Sequence, residues 1–194
     1  MTRALVVFGT KHGHAHKVAH VIGEQLRSAG LQADVAEASR YVPAAGEYDG
    51  IIVVAAVHAG GYQCGVKRWV GRHVATLRRK PTAFVSICLG VLQHDPAVDR
   101  ELTAMRARFY ALTGWQPGVV EVVAGALPYT RYDWLTRWVM KRIVTKAHGD
   151  IDTSRDYEYT DWEDVRRFAT EFADALETSR LLAVPGERSG LHAA

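Results

Sequence analysis

The sequence predicts an α/β protein built on a doubly wound, five-stranded parallel sheet with helices on both faces. Three observations carry that reading: short apolar runs alternate with helix-period segments, some of those runs are apolar at every position, and glycine-bearing loops follow them. A strand covered on both faces has no polar side to alternate with, so an unbroken apolar run of strand length marks the middle of a parallel sheet.

The first strand is Ala4-Leu5-Val6-Val7-Phe8, which ends at once in Gly9-Thr10-Lys11-His12-Gly13-His14-Ala15-His16. A buried strand, a short loop with Thr and Gly and a helix N-terminus make an anion cradle, because backbone N–H groups and the positive end of the helix dipole converge there. The spacing fits neither G-x-x-x-x-G-K-[ST] nor G-x-G-x-x-G, so a mononucleotide phosphate is expected in place of a Walker or dinucleotide ligand. Ala15, Ala19, Ile22 and Leu26 then recur at helical spacing, and Gly30 stands where a helix closes in the left-handed conformation. The first helix therefore ends near Ala29.

Residues 33–36 form a modest second strand, and Asp49-Gly50 leads into the third, Ile51-Ile52-Val53-Val54-Ala55-Ala56. After His58-Ala59-Gly60-Gly61-Tyr62, the residues Val66, Trp69, Val70, His73, Val74 and Leu77 recur at i, i+3, i+4, i+7, i+8 and i+11, the pattern of an amphipathic helix. Pro81 introduces a fourth strand over 82–88, Leu102, Met105, Phe109 and Leu112 mark a third helix, and 119–123 a fifth strand. Thr160-Asp161-Trp162-Glu163 reads as the start of the last helix, with Thr160 as N-cap and Glu163 three residues on, followed by Val165, Phe168, Phe172 and Leu176. The expected domain is 1–178 with an insertion at about 127–158, and 179–194, rich in Pro, Gly and Ser without periodicity, is expected to be a disordered tail.

At 194 residues the chain can bury a core without staples. A formal net charge of +3 is too small to demand a nucleic-acid partner, and none is expected. The two cysteines, Cys64 and Cys88, form no C-x-x-C pair, which points to reduced thiols in the cytoplasm. No signal peptide is expected, because the first residues are already strand, and no apolar run is long enough to span a bilayer.

Ligands of such sheets bind beyond the carboxyl ends of the strands. Here those ends are the loops at 10–15, 57–62, 88–94 and 125–128, which can converge on one planar ligand whose phosphate lies in the first. This arrangement is similar to that of flavodoxin-like proteins and favours flavin mononucleotide (FMN).

Between the fifth strand and the last helix lies a segment that a minimal fold of this kind lacks. After Trp134, Leu135, Val139 and Ile143 fall on one helical line flanked by Trp138, Met140 and Val144, while Arg137, Lys141, Arg142 and Lys146 supply four positive charges with no acid between Trp134 and Ala147. A basic amphipathic helix with tryptophans has the make-up of a membrane-surface segment, and equally of a helix packed on the domain with a solvated basic face.

The inserted segment Gly125-Ala126-Leu127-Pro128-Tyr129-Thr130-Arg131-Tyr132-Asp133-Trp134, with Asp152-Thr153 and Tyr159-Thr160-Asp161-Trp162-Glu163 downstream, resembles the flavodoxin-like, quinone-dependent protoporphyrinogen dehydrogenases. The likeness covers about residues 3–176. It implies FMN as cofactor, oxidation of a porphyrinogen in heme formation, and a membrane quinone as acceptor. It also implies a location on the inner face of the cytoplasmic membrane, with homo-oligomerisation left open. The chain departs from the family at Ala15, where Ser or Thr usually ends the phosphate loop, and at Ala59, where an aromatic commonly covers the flavin ring; Tyr62 is the nearest substitute. A hydroxyl donor to a charged phosphate contributes about 1.5–3 kcal/mol.

The expected cofactor contacts are Thr10, Lys11, His12, Gly13, His14 and Ala15 from the first loop, His58, Gly60 and Tyr62 from the second, Ser86, Cys88 and Leu89 from the third, and Gly125. Arg131, Trp134, Arg137, Trp138, Lys141, Arg142 and Lys146 are the expected membrane or substrate contacts. No resident metal is expected, although His16 and His20 stand at i, i+4, and no acid–base residue is assigned, since flavin chemistry does not require one. Two other readings stay open: a flavodoxin-like electron carrier or quinone reductase with another donor, and a flavin-free module that holds an anion or a metal.

Overall fold

A computed structural model describes residues 1–58, 60–93, 95–127 and 157–183. Five strands, β1 (Arg3–Gly9), β2 (Gln32–Glu37), β3 (Gly50–Ala56), β4 (Thr82–Ile87) and β5 (Val119–Val123), form one sheet in the order β2-β1-β3-β4-β5. Every pairing in it is parallel. The helices are α1 (His14–Ser28), α2 (Cys64–Leu77), α3 (Pro96–Thr113) and α4 (Trp162–Ala183), with a 3-10 turn at Leu89–Gln93.

The sheet divides the core in two. Ala4, Val6, Phe8, Ile52, Val54 and Val85 pack under α1 and α4, whereas Leu5, Val7, Ile51, Val53 and Phe84 pack under α2 and α3. Residues 51–55 are fully buried, as an unbroken apolar run requires of a central parallel strand. Burial of a Val, Leu, Ile or Phe side chain contributes about 1.5–3 kcal/mol, so these two layers supply most of the drive to fold.

Helix ends follow local chemistry, with two departures from the sequence reading. Gly30 takes φ 91°, and the Gly30 and Leu31 N–H groups donate to the Arg27 and Leu26 carbonyls, closing α1 as expected. The cap of α4 is Asp161 in place of Thr160: its Oδ1 accepts from the N–H groups of Glu163 (2.9 Å) and Asp164 (3.1 Å). Thr160 is unavailable because its hydroxyl donates to the Ala124 carbonyl at 2.8 Å. In α3 the fourth inward position is Thr113, and Leu112 is 76% exposed. From Phe109 the inward face continues at i+4, and the Thr113 hydroxyl satisfies itself on the Phe109 carbonyl. The last helix runs through Ala183, beyond the expected boundary at 178.

A second, two-stranded antiparallel ribbon, β6 (Ala126–Leu127) with β7 (Tyr157–Glu158), stands at the base of the insertion. Ala59 and the expected membrane or substrate contacts Arg131, Trp134, Arg137, Trp138, Lys141, Arg142 and Lys146 lie outside the described residues. If Asp161 alone caps α4, Asp161→Ala will lower stability by about 1 kcal/mol in urea unfolding, and Asp161→Asn will restore most of it.

Candidate functional site at the carboxyl ends of β1 and β3

The strand order changes direction between β1 and β3, and the loops after these two strands face each other across that point, where open α/β sheets hold their ligands. In the first loop the Gly13 N–H donates to Thr10 Oγ1 at 2.8 Å, and Gly13 adopts φ 92°, a left-handed conformation that favours glycine. This turn delivers the chain into α1 with no side-chain cap and no acid in its first turn. The first N–H groups of a helix have no carbonyl behind them, so this end is a bare positive pole. Lys17 makes the first bond back, to the Gly13 carbonyl. The Ala15 side chain is fully buried in the core, so this residue can meet a ligand only through its backbone.

The second loop is tight: His58 and Gly61 exchange backbone hydrogen bonds of 2.8 and 3.1 Å, with Gly60 at φ 75°. Lys11 crosses from the first loop and its ammonium donates to His58 Nε2 at 2.7 Å. Lysine has no acceptor, so His58 Nε2 carries a lone pair and the ring proton sits on Nδ1. Burial and the neighbouring Lys11 charge both hold His58 below the ordinary histidine pKa, which keeps it neutral. The His12 ring meets the His58 ring edge-on at 5.7 Å.

Gln63, at the cap position of α2, was not singled out by its sequence. Its side-chain Oε1 and Nε2 are both buried without a hydrogen-bond partner. A Cβ on Gly9 would lie 3.3 Å from that Oε1 and 2.3 Å from Val66, so Gly9 is what lets α2 approach the end of β1. A buried amide without partners costs on the order of 1–3 kcal/mol, and beside an anion cradle it fits a polar ligand group.

Two expected contacts prove to be core. Tyr62 is 5% exposed, wedged edge-on against Phe84 and Phe109, and its hydroxyl bonds Ser86 at 2.7 Å. Burial pushes its phenol up to about 12, and its ring is committed to the α2–α3 layer, so it cannot replace the aromatic lid. Ser86 is equally buried. Cys88 and Leu89 follow at the end of β4, where burial raises the Cys88 thiol and Gly90 N–H donates to its sulfur at 3.3 Å. Such a thiol stays protonated and is a poor nucleophile. A Cβ on Gly125 would lie 3.3 Å from Ile87, which sets that glycine against the same strand end.

The root of the insertion is clasped to α1. Lys17 bonds both Glu158 carboxylate oxygens at 2.8 and 2.9 Å and lies 4.6 Å over the Trp162 ring, while Trp162 Nε1 donates to Glu158 at 2.6 Å. Burial works against the Glu158 charge, but these two donors outweigh it and hold the carboxyl below its usual range. Two residues after Glu158, the Thr160 hydroxyl spends its proton on Ala124 and must accept from His14 Nε2, 2.7 Å away. His14 is thus the Nε2–H tautomer, and its burial keeps it neutral against the pull of Glu158. The Tyr159 N–H closes the clasp on the Gly125 carbonyl. These contacts, with the cap at Asp161, give Thr160, Asp161 and Trp162 their places in the Tyr-Thr-Asp-Trp segment. A separate cavity of about 590 Å³, lined by Arg78, Lys80, Thr82, Tyr110 and Trp115 among others, lies at the amino end of β4, away from these loops.

Comparison with known proteins agrees with this geometry. The flavodoxin domain family matches residues 5–154. The protoporphyrinogen IX dehydrogenase [quinone] of Escherichia coli (strain K12) is 33% identical over 92% of this chain and 99% of its own length. The protein of that name from Leishmania major is 29% identical over 88% of this chain and 74% of its own. Solved structures share the fold: the Streptococcus pneumonia TIGR4 flavodoxin (TM-score 0.53, 19% identity, 92% of this chain and 99% of that one) and Bacillus cereus flavodoxin 1 (TM-score 0.55, 15% identity, 89% and 98%). The chain belongs to the flavodoxin domain family, on the branch of the quinone-linked protoporphyrinogen IX dehydrogenases.

The Lys11–His58 contact has a spectroscopic consequence. Nitrogen-detected NMR will find His58 as the Nδ1–H tautomer with a pKa below the ordinary value of about 6.5, and Lys11→Met will move that pKa up part of the way, leaving the contribution of burial. A His58 pKa untouched by Lys11→Met would mean the two side chains do not meet in solution.

Proposed function

We propose that this protein is an FMN-dependent oxidoreductase that takes reducing equivalents from a porphyrinogen and passes them to a membrane quinone. The observation that carries the cofactor reading is the bare N-terminus of α1 at the β1–β3 junction, with the unpartnered Gln63 amide beside it. The substrate class rests on the relatives named above, which align over nearly the whole chain.

The residues present fit a flavin phosphate. The first-turn backbone N–H groups of α1 and the helix dipole bind it without a dedicated cation, and the Lys11 ammonium stands at the same loop. The Gln63 amide offers one donor and one acceptor, and the neutral His58 ring offers its Nδ1–H at the mouth of the second loop. FMN, when bound, supplies the hydride and electron chemistry, while the protein supplies orientation and electrostatics. Lys11 and His58 place one full charge and one neutral donor where the two loops meet, a balance suited to a cofactor that gains negative charge on reduction.

Membrane docking completes the reading. No helix among the described residues is long and apolar enough to cross a membrane. The uninterrupted basic run Arg137, Lys141, Arg142 and Lys146, beside Arg131, Trp134 and Trp138, has the composition for anionic lipid, with each cation near the surface contributing about 1 kcal/mol.

Purified protein should show flavin bands near about 375 and 450 nm, the cofactor's own absorption. Gln63→Ala should weaken FMN binding about ten-fold in a fluorescence titration, equivalent to about 1.4 kcal/mol. Protein that takes up no FMN at all sinks the proposal; flavin uptake without porphyrinogen-to-quinone turnover leaves an electron carrier. Replacing Arg137, Lys141, Arg142 and Lys146 together by Gln should release the protein from anionic vesicles at low salt with flavin content unchanged. Turnover with membrane quinone should fall, and turnover with a soluble acceptor should hold. If the parent protein ignores such vesicles at low salt, membrane docking through this segment is wrong.

A further inference from the structure

The outer face of α1 carries a second chemistry that neither the phosphate cradle nor the clasp uses. His16 and His20 stand one turn apart, both exposed, with ring centroids 4.2 Å apart and planes inclined at 43°. Phe8, 5% exposed, packs edge-on beneath His16 at 5.2 Å and lies 6.4 Å from His20. The apolar ring under the pair restricts both side chains to the outer surface, where they face one another.

We propose that His16 and His20 form a two-imidazole site for a borderline divalent transition ion, of the class Cu²⁺, Ni²⁺ or Zn²⁺. The spacing suits it. With metal–nitrogen bonds of about 2.0–2.1 Å, each ring centroid lies about 3.2 Å from the ion, so ligands at 90–110° hold their centroids about 4.5–5.2 Å apart. The observed separation is a few tenths of an ångström short of that, which a small rotation of either ring supplies.

The helix turn between the two residues fixes the backbone, so little order has to be created on binding. Imidazole ligands select this class over Mg²⁺ and Ca²⁺, which require oxygen donors.

Glu24, one turn on from His20, adds a carboxylate to the neighbourhood of the pair. The other charged group near His20 is Arg27, further along α1. No group of three or more His, Cys, Asp or Glu among the described residues could hold a metal ion. The site is therefore an open one, with two protein ligands and the remaining positions left to water or an exogenous donor, unlike a closed structural zinc site with four.

The test uses the full chain, with its flavin as purified and after removal of metal with a chelator. Cu²⁺ titrated by calorimetry and followed by electron paramagnetic resonance should fill one site at micromolar concentration, with nitrogen hyperfine structure from two imidazoles. His16→Gln and His20→Gln should each weaken that site more than ten-fold, and His20→Gln, beyond the first turn of α1, should leave the flavin spectrum unaltered. Zn²⁺ should raise the melting temperature of the parent and leave that of the double variant in place. The proposal is overturned if the parent takes up no stoichiometric Cu²⁺ at micromolar concentration, or if the double variant keeps an affinity within ten-fold of the parent's.

Discussion

The functional end of this protein depends on β1 and β3 lying side by side in parallel, although a helix and a strand separate them along the chain. Because β2 is sent to the outside of β1, the chain winds one way from β1 and the other way from β3, and the two following loops are left with open space between them. That space is lined by backbone before it is lined by side chains: a left-handed glycine, an uncapped helix start and a tight turn closed by paired carbonyl and N–H groups. Gly9 belongs to the same constraint, since any side chain there would drive α2 away from the end of β1.

Electrostatics at the site are set by which groups stay neutral. Four histidines and two lysines crowd the first loop, the second loop and the start of α1, a concentration of positive charge that would oppose folding if all were ionised. Burial and neighbouring cations keep His14 and His58 neutral, and Glu158 offsets Lys17. What remains is a modest positive field, dominated by Lys11 and the helix dipole, at the place where an anion would sit.

The clasp between α1 and residues 157–162 links two functions that the sequence keeps far apart. Lys17 and Glu158 are separated by 141 residues, yet their ion pair and the His14–Thr160–Ala124 chain both reach the start of α1, and the cap at Asp161 follows directly on Thr160. An exposed ion pair alone contributes about 0–1 kcal/mol, so the clasp owes its definition to the combination of charge, tryptophan N–H and hydroxyl donors. Through it, the ribbon from which the insertion departs is fixed to the helix whose end forms the cradle.

The sequence by itself determined the strands, the helices and the place of the loop that joins β1 to α1, because those depend on side-chain period and turn chemistry over a few neighbouring residues. The fully apolar run of β3, the closing glycine at Gly30 and the short loop with Thr and Gly after β1 are all local statements and were legible as such. Tertiary structure decided what each side chain faces. Tyr62 reads as a loop aromatic beside the flavin and is instead core, since the strand end turns it under α3 onto Ser86. Thr160 reads as a cap and is instead a bridge, because a carbonyl 36 residues away claims its proton. Gln63 carries no motif at all; only the approach of α2 to Gly9 buries its amide and makes it a candidate ligand. Partners distant in sequence leave no periodic trace, so these roles appear only once the sheet order has brought the chain ends together.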